Sequence, residues 1–546
     1  MRLSFLSMSN RSDDQVTQGT LVGDDSIRVF NTLKSGNCYY DHPEKWNPKA
    51  LLSLFGYFAV CFLLLLHMPN SLWDPELRNL TLTLGALGIW RYSWWFTHVV
   101  RSEYYQHRRF PAIRAKAESV WSSGWRPRHV HFMMTTFKER RDTTELVVQS
   151  ICREVRQSGI PTTLWLGSGD YYDEKIIMDY LRQHAEGLPL EFVMIRQNVS
   201  GKRMAIGLVL RAMSRRRIHK DDLIVFMDGD AVLDPGILQK CCPLFQIDPE
   251  LQALTTDEEV ICYGPKWVQS WLVMRFSQRR IAMQSHSMSN KVLTLTGRMS
   301  VFRANHLTRR KFIRMLEADH LTHWLWGSFR FLSGDDKSTW YYMLTQNAKM
   351  LYVPDALVYT IEEVDGSGIE RMTQNFRRWS GNMLRNGTRA LLLGPKKTGL
   401  FIWWCVMDQR LAMWTMLVSP IVAISATLLH DLSYILGYLI WVLISRMALS
   451  LFLFRYSSTV HIEWPFILYF NQLLNAAVKV YCLARLSKQR WTNRGNQSAG
   501  MSTTFADRLK DWMACYMTTV WVCALIYGVM LYTQLIHFPN FGRYFG

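Results

Sequence analysis

Residues 51–68 read LLSLFGYFAVCFLLLLHM, an apolar run without one Asp, Glu, Lys or Arg. As a helix it is long enough to cross the roughly 30 Å hydrocarbon core of a bilayer, and in lipid only helices and closed barrels satisfy the backbone. The residues ahead of it, 1–50, are mostly polar and predict a flexible cytosolic tail rather than a cleaved signal peptide. Residues 80–100 predict a second span, with Trp90, Trp94 and Trp95 as interfacial anchors and Arg91 snorkelling or facing a cavity. The stretch that follows, RSEYYQHRRFPAIRAK, is strongly basic, which places it in the cytosol by the positive-inside rule.

Towards the other end, residues 411–429 and 432–454 predict two antiparallel spans joined by a tight turn at His430 and Asp431. Residues 464–483 are as apolar in bulk, but Asn471, Gln472, Asn475 and Lys479 recur on one helical face and predict an interfacial or pore-lining helix. The loop beyond carries Arg485, Lys488, Arg490, Arg494, Arg508 and Lys510 against Asp507, again a cytosolic signature. Residues 513–537 form the last span, giving five crossings, or six if 464–483 also crosses. The expected organisation is a tail (1–50), two spans (51–100), a cytosolic domain (101–400), interfacial helices with two or three spans (401–485), a cytosolic loop (486–510) and a final span with its tail (511–546).

Across the whole chain 63 Lys and Arg oppose 44 Asp and Glu, a net charge of +19. Such an excess fits nucleic acid, membrane surface or phosphate-bearing substrates. The basic residues gather beside membrane segments and at three motifs described next, without an aromatic-interleaved array, so membrane lipids are expected partners and nucleic acid is not. The ten cysteines fall singly or in apolar runs, with Cys241 and Cys242 adjacent and no CxxC pair, so neither a disulfide framework nor a zinc site is expected. Asn198 and Asn386 head glycosylation sequons but sit in the cytosolic part, where they should stay bare.

Within that part the pattern changes to short apolar runs at 129–137, 162–168, 190–197 and 223–230, most of them followed by a polar turn and an amphipathic stretch. This predicts a largely parallel sheet flanked by helices, in which ligands bind outside the carboxyl ends of the strands. There Asp228-Gly229-Asp230 closes the run LIVFM. Two carboxylates so placed can hold Mg²⁺ or Mn²⁺, which neutralises a nucleotide diphosphate. Asp-x-Asp alone is common in turns, and its position after a buried strand is what singles it out. Leu332-Ser333-Gly334-Asp335-Asp336 offers a second carboxylate pair, and a base is what an acceptor hydroxyl needs to attack an activated sugar. Gln374-Asn375-Phe376-Arg377-Arg378-Trp379 then sets an aromatic face beside guanidinium groups ahead of the membrane helices.

The order Asp-x-Asp, Gly-Asp-Asp, Arg-Trp, then membrane helices resembles the membrane-integrated processive family-2 glycosyltransferases, hyaluronan synthases above all, with a closer likeness to the type 2 glycosyltransferases of filamentous fungi. The resemblance implies an α/β domain of GT-A type inserted between two transmembrane bundles, in a plasma-membrane enzyme. Its catalytic domain would be cytosolic, and it would polymerise sugar from a UDP-sugar into a cell-surface or outer cell-wall polysaccharide, with inversion, while extruding the growing chain. It implies roles as well. Asp336 would be the base and Asp335 its support, Asp230 the metal ligand, and Asp228 a nucleotide contact. Lys202 and Arg203, in a Gly-Lys-Arg segment, would offset phosphate charge. Gly297 and Arg298, in the loop similar to the family's acceptor loop, would contact the acceptor with Asn375 and Trp379. Arg378 and Trp379 would hold the diphosphate, and Trp491 and Arg494, in a gate-like Trp-Thr-Asn-Arg-Gly, would clamp the leaving group.

Two departures stand out. Leu166 occupies the place of the family's first nucleotide-binding acid, leaving Asp170, or Thr135, Thr136 and Glu139, to substitute. Asn375 stands in register with the motif's Gln, with Gln374 beside it. The alternative reading is a non-processive transferase acting on a membrane lipid. A transporter is disfavoured by the large cytosolic domain between few, unevenly spaced spans.

Overall fold

The computed structural model describes residues 48–67, 78–197, 201–364, 366–457, 459–491, 497–500 and 504–537. Most of the expected tail lies outside these residues, and Pro48 already starts the helix Pro48–Leu66.

The four predicted strands form as β1 (Val130–Thr136), β2 (Thr162–Ser168), β3 (Leu190–Arg196) and β4 (Leu223–Asp228). They lie parallel in the order β3-β2-β1-β4, with Thr135 opposite Gly167 on one side and Asp228 on the other. After β5 (Ala231–Leu233), β6 (Leu251–Tyr263), β7 (Met299–Arg303), a separate hairpin of β8 (His320–His323) and β9 (Gly327–Arg330), and β10 (Lys349–Glu363), the full order is β3-β2-β1-β4-β7-β6-β10-β5. β7 is antiparallel to both neighbours and β5 to β10, while the long pair β6 and β10 is parallel.

Continuous rather than alternating apolar runs make sense once both sheet faces are covered. Phe132 and Met134 of β1 pack in one core with Val147, Ile151 and Val155 of the helix Arg141–Ser158. Met133, pointing the other way by the two-residue period, packs with Trp165 and with Val209 and Leu210 of the helix Lys202–Arg215. A third core joins the domain to the helices beyond it. Trp271 and Phe276 of Lys266–Ser287, with Phe376 and Leu384 of Gly368–Leu392, meet Phe454, Trp464 and Leu468.

Among the described residues five helices are long and apolar enough to cross a membrane: Pro48–Leu66, Leu400–Leu429, Ser433–Arg455, Trp464–Leu483 and Phe505–Tyr532. The number agrees with expectation, but the membership differs. Arg78–Tyr104, the expected second span, is one helix but is not among the five. Its Arg91 is paired with Asp408 at 2.7 Å and reaches Thr415 Oγ1 at 2.9 and 3.1 Å. Trp464–Leu483, expected as an interfacial or pore-lining helix, is among them. Asn471 of its polar face accepts from Trp271 Nε1 at 2.8 Å and Asn475 from Ser380 Oγ at 3.2 Å, so these amides dock the sheet domain. Part of the basic segment after residue 100 is likewise turned inward. Arg101 and Arg109 donate to carbonyls at the end of Lys266–Ser287, and Arg114 pairs with Asp355. Asn386 is buried within Gly368–Leu392, closed to a glycan, and Asn198 lies outside the described residues.

Arg280 is the polar pin of the junction. Its guanidinium donates to Asp257 at 2.7 Å and Glu259 at 2.6 Å on β6, and to the Tyr456 carbonyl at 2.8 Å just beyond Ser433–Arg455. Burial opposes its charge, but the two carboxylates outweigh that and hold the guanidinium more firmly protonated than usual. Removing one partner of a buried ion cluster leaves the others uncompensated, at a cost of about 3–5 kcal/mol. Arg280→Ala is therefore expected to lower the thermal-unfolding midpoint of the detergent-purified protein markedly. Arg141→Ala, which breaks an exposed pair with Glu145, should change stability by no more than about 0.5 kcal/mol.

Candidate active site

The carboxyl ends of β1, β2 and β4 and the end of β10 open into one cavity of about 570 Å³. Its lining brings together Lys202, Asp228, Asp230, Gly297, Arg298, Asp335, Asp336, Arg378 and Trp379 from segments far apart in the chain. β4 delivers Asp228 at its last residue, and the turn after it delivers Asp230. Gly334 starts the helix Asp335–Thr345 at φ +82°, and a Cβ there would lie 2.6 Å from the Asn382 side chain. Glycine thus lets the chain turn tightly enough to present both carboxylates.

At the centre the Lys202 ammonium lies 2.6 Å from Asp228 and 3.2 Å from Asp335. Burial works against that charge, but the two carboxylates outweigh it and hold the lysine protonated. Asp335 answers in kind: burial raises it, but Lys202 and then Arg203 pull it below the usual carboxylate range. Its neighbour Asp336 moves the other way, pushed up by burial and by the Asp335 charge. Asp230 is raised to about 7 by burial and by Asp228. Two carboxylates this close, one of them driven to keep its proton, form a donor set that suits a hard divalent cation, which would let both ionise.

A family model described as "Glycosyltransferase like family 2" matches residues 127–382, the stretch that builds this cavity. Two curated relatives, each named glycosyltransferase alg8, extend the match into the membrane helices. The protein from Pseudomonas syringae pv. tomato is 35% identical over 86% of this chain and 96% of its own, and that from Azotobacter vinelandii is 33% identical over 85% and 94%. The chain belongs to the family-2 glycosyltransferases. Among solved structures it is similar to a mannosyltransferase from Pyrobaculum calidifontis in complex with GDP-Man and Mn²⁺, at 14% identity and TM-score 0.44 over 70% of this chain and 99% of that one. The relatives are bacterial, and the expected likeness to fungal enzymes has no counterpart among them.

In this membrane-bound glycosyltransferase of GT-A architecture, several expected residues stand elsewhere than the motifs suggest. Arg203 does not line the cavity. Its guanidinium is buried and donates to the carbonyls of Leu316 and Ser333 and to Ser338 Oγ, at 2.8 to 3.0 Å, because adjacent helical residues point about 100° apart. It braces the loop that carries Asp335. Arg298 lines the cavity with both terminal nitrogens engaged, on Glu258 at 2.8 Å and Glu362 at 2.7 Å. Asn375 is buried behind Arg378, whereas Gln374 beside it reaches the cavity. Trp491 ends β11 (Gln489–Trp491), which pairs with β12 (Gln497–Ala499), and Arg494 lies outside the described residues. Gln489 anchors this hairpin beside the site, accepting from Leu332 N at 2.9 Å and donating to Arg330 O at 2.8 Å.

Leu166 is fully buried in β2, so no acid stands where the family places its first one. Asp170 caps the helix Tyr171–His184 by accepting from Tyr172 N and stays out of the cavity, whereas Thr135, Thr136 and Glu139 line it. The sequence reading missed Gln197, Glu362, Glu370 and Arg371 in the lining. Only the pair Glu362-Glu363 closing a long apolar strand signalled them. It also missed Asp173, which accepts from Thr136 Oγ1 at 3.0 Å and from Glu139 N at 3.3 Å and so shapes the wall where Leu166 offers nothing polar. Burial pushes Asp173 up to about 6, above the ordinary value near 3.9. A raised folded-state pKa gives stability that is full below the unfolded value and lost as pH rises through about 6. Thermal melts at a series of pH values should show that loss in the wild type and a flatter profile in Asp173→Asn.

Proposed function

We propose that this glycosyltransferase is a processive, inverting polysaccharide synthase that uses a nucleoside-diphosphate sugar, UDP-linked as the hyaluronan-synthase resemblance suggests. It would stand in the plasma membrane, with its catalytic domain in the cytosol and its product extruded. The observation that carries this reading is a chain of contacts from the carboxylate cavity to a membrane-crossing helix. Trp379 lines the cavity and stacks on Trp271, with ring centres 6.0 Å apart, and Trp271 donates to Asn471. An acceptor terminus resting on Trp379 therefore sits against the helices through which a polymer must leave. The outer cell-wall destination drawn from the fungal likeness has no support in bacterial relatives and forms no part of the proposal.

Asp336 accepts the proton of the acceptor hydroxyl, and its raised pKa strengthens it as a base. Lys202, fixed by Asp228 and Asp335, faces the diphosphate, and Arg378, which lines the same cavity, adds a second positive charge. Asp228 and Asp230 are the residues to hold Mg²⁺ or Mn²⁺, which when bound offsets negative charge on the departing diphosphate. Thr135, Thr136 and Glu139 take over base recognition from the absent acid. The Trp491 hairpin, tied by Gln489 to the Asp335–Asp336 loop, closes over the leaving group.

Membranes carrying the protein, supplied with a panel of labelled UDP-sugars and Mn²⁺, should release UDP and accumulate polymer resolved by size on a gel. Chelation should stop this and added Mn²⁺ restore it. Asp336→Asn should abolish transfer while leaving nucleotide binding intact, and wild-type turnover in that variant would remove Asp336 as the base. The base acts ionised, so the wild-type rate should fall with falling pH through a value above the ordinary carboxylate range. Products of a single added sugar would overturn the processive reading.

A further inference from the structure

Away from the carboxylate cavity, three helices meet with metal-binding side chains turned towards one another. His98 comes from Arg78–Tyr104, His286 from the end of Lys266–Ser287, and Cys405 from the start of Leu400–Leu429. One donor atom from each lies within 4.8 Å of the other two. They border a separate cavity of about 210 Å³, whose walls also include Trp94, Gln278 and Asp408.

The His286 side chain is only 3% exposed, and its Nδ1 has no hydrogen-bond partner. Buried polar nitrogens are nearly always satisfied, so an orphan at the mouth of a donor cluster calls for a ligand. His98 Nδ1 lies 2.9 Å from Ser285 Oγ, the outer partner that orients a ligating imidazole and leaves Nε2 as the donor. Two imidazoles and one thiolate form a borderline-soft set that matches Zn²⁺ rather than the hard ions suited to Asp228 and Asp230. The nearby charges are already engaged: Arg101 donates to the Ser285 carbonyl and lies over the Phe401 ring, and Asp408 is held by Arg91.

We propose that His98, His286 and Cys405 bind one Zn²⁺, with water from the adjoining cavity as fourth ligand. On binding, the Cys405 thiol gives its proton to solvent and the thiolate offsets one of the two positive charges. The ion pins the N-terminal helix, the catalytic domain and the first C-terminal membrane helix at one point. This staple is independent of the transfer reaction and touches none of the residues that line the carboxylate cavity.

The full-length protein, purified in detergent and dialysed against a mild chelator, should retain about one equivalent of zinc, as a single site with three protein ligands requires. Replacing it with Co²⁺ should produce a near-ultraviolet thiolate-to-cobalt charge-transfer band. The carboxylate cavity cannot give that signal, because no cysteine lines it. Cys405→Ser should lose the band and the zinc while still binding nucleotide. Cys152→Ser, which removes a buried cysteine of the sheet core, should keep both. Absence of the band in the wild type, or its persistence in Cys405→Ser, overturns the site. Should Cys405→Ser fail to fold, the wild-type cobalt spectrum alone decides.

Discussion

The Lys202 ammonium, shared between Asp228 and Asp335, is the interaction around which the site is arranged. It joins the end of a parallel strand in the first half of the sheet to the start of a helix more than a hundred residues later. Their attraction is stronger in a partly dry cavity than in water, although desolvation offsets part of it, and removing the lysine would leave two carboxylates uncompensated. The unequal sharing also sets Asp335 and Asp336 apart. One carboxylate is pulled down by Lys202, and the other, left beside it, is pushed up, so two adjacent identical residues acquire different chemistry.

The catalytic domain is seated on the membrane helices by polar contacts as much as by apolar ones. Trp271 to Asn471, Ser380 to Asn475 and Arg280 to the Tyr456 carbonyl cross the junction between them. Each places a hydrogen-bonding group where an unpaired one would be costly, which fixes the orientation of the domain better than non-directional apolar burial can. That orientation is what sets Trp379 against Trp271, the residue that meets the bundle at Asn471.

Much of this was legible in the chain. The first four strands were found nearly to the residue, and β1, β2 and β4 owe this to burial on both faces, which leaves unbroken apolar stretches. Asp228, Asp230, Asp335, Asp336, Arg378 and Trp379 were found because their chemistry and their order are local. Arg203 and Asn375 were assigned to the cavity by motif, yet each stands behind it, since the facing of a helical residue depends on how the helix docks. Asp173 went unread because nothing near it in sequence marks it, and Glu362 carried only the faint signal of a carboxylate pair closing an apolar strand.

By itself, then, the sequence determined the membrane-bound architecture, the parallel sheet and most of the charged groups that gather in the cavity, because hydropathy, periodicity and residue chemistry are carried by short segments. Tertiary structure alone decided what the polar groups of Arg78–Tyr104 and Trp464–Leu483 do, as Arg91 and Asn471 acquire meaning only from their partners Asp408 and Trp271. It decided too which of two adjacent carboxylates is raised, and that His98, His286 and Cys405 meet at one point. Those outcomes arise from distances between residues far apart in the chain, and such distances exist only once the chain has folded.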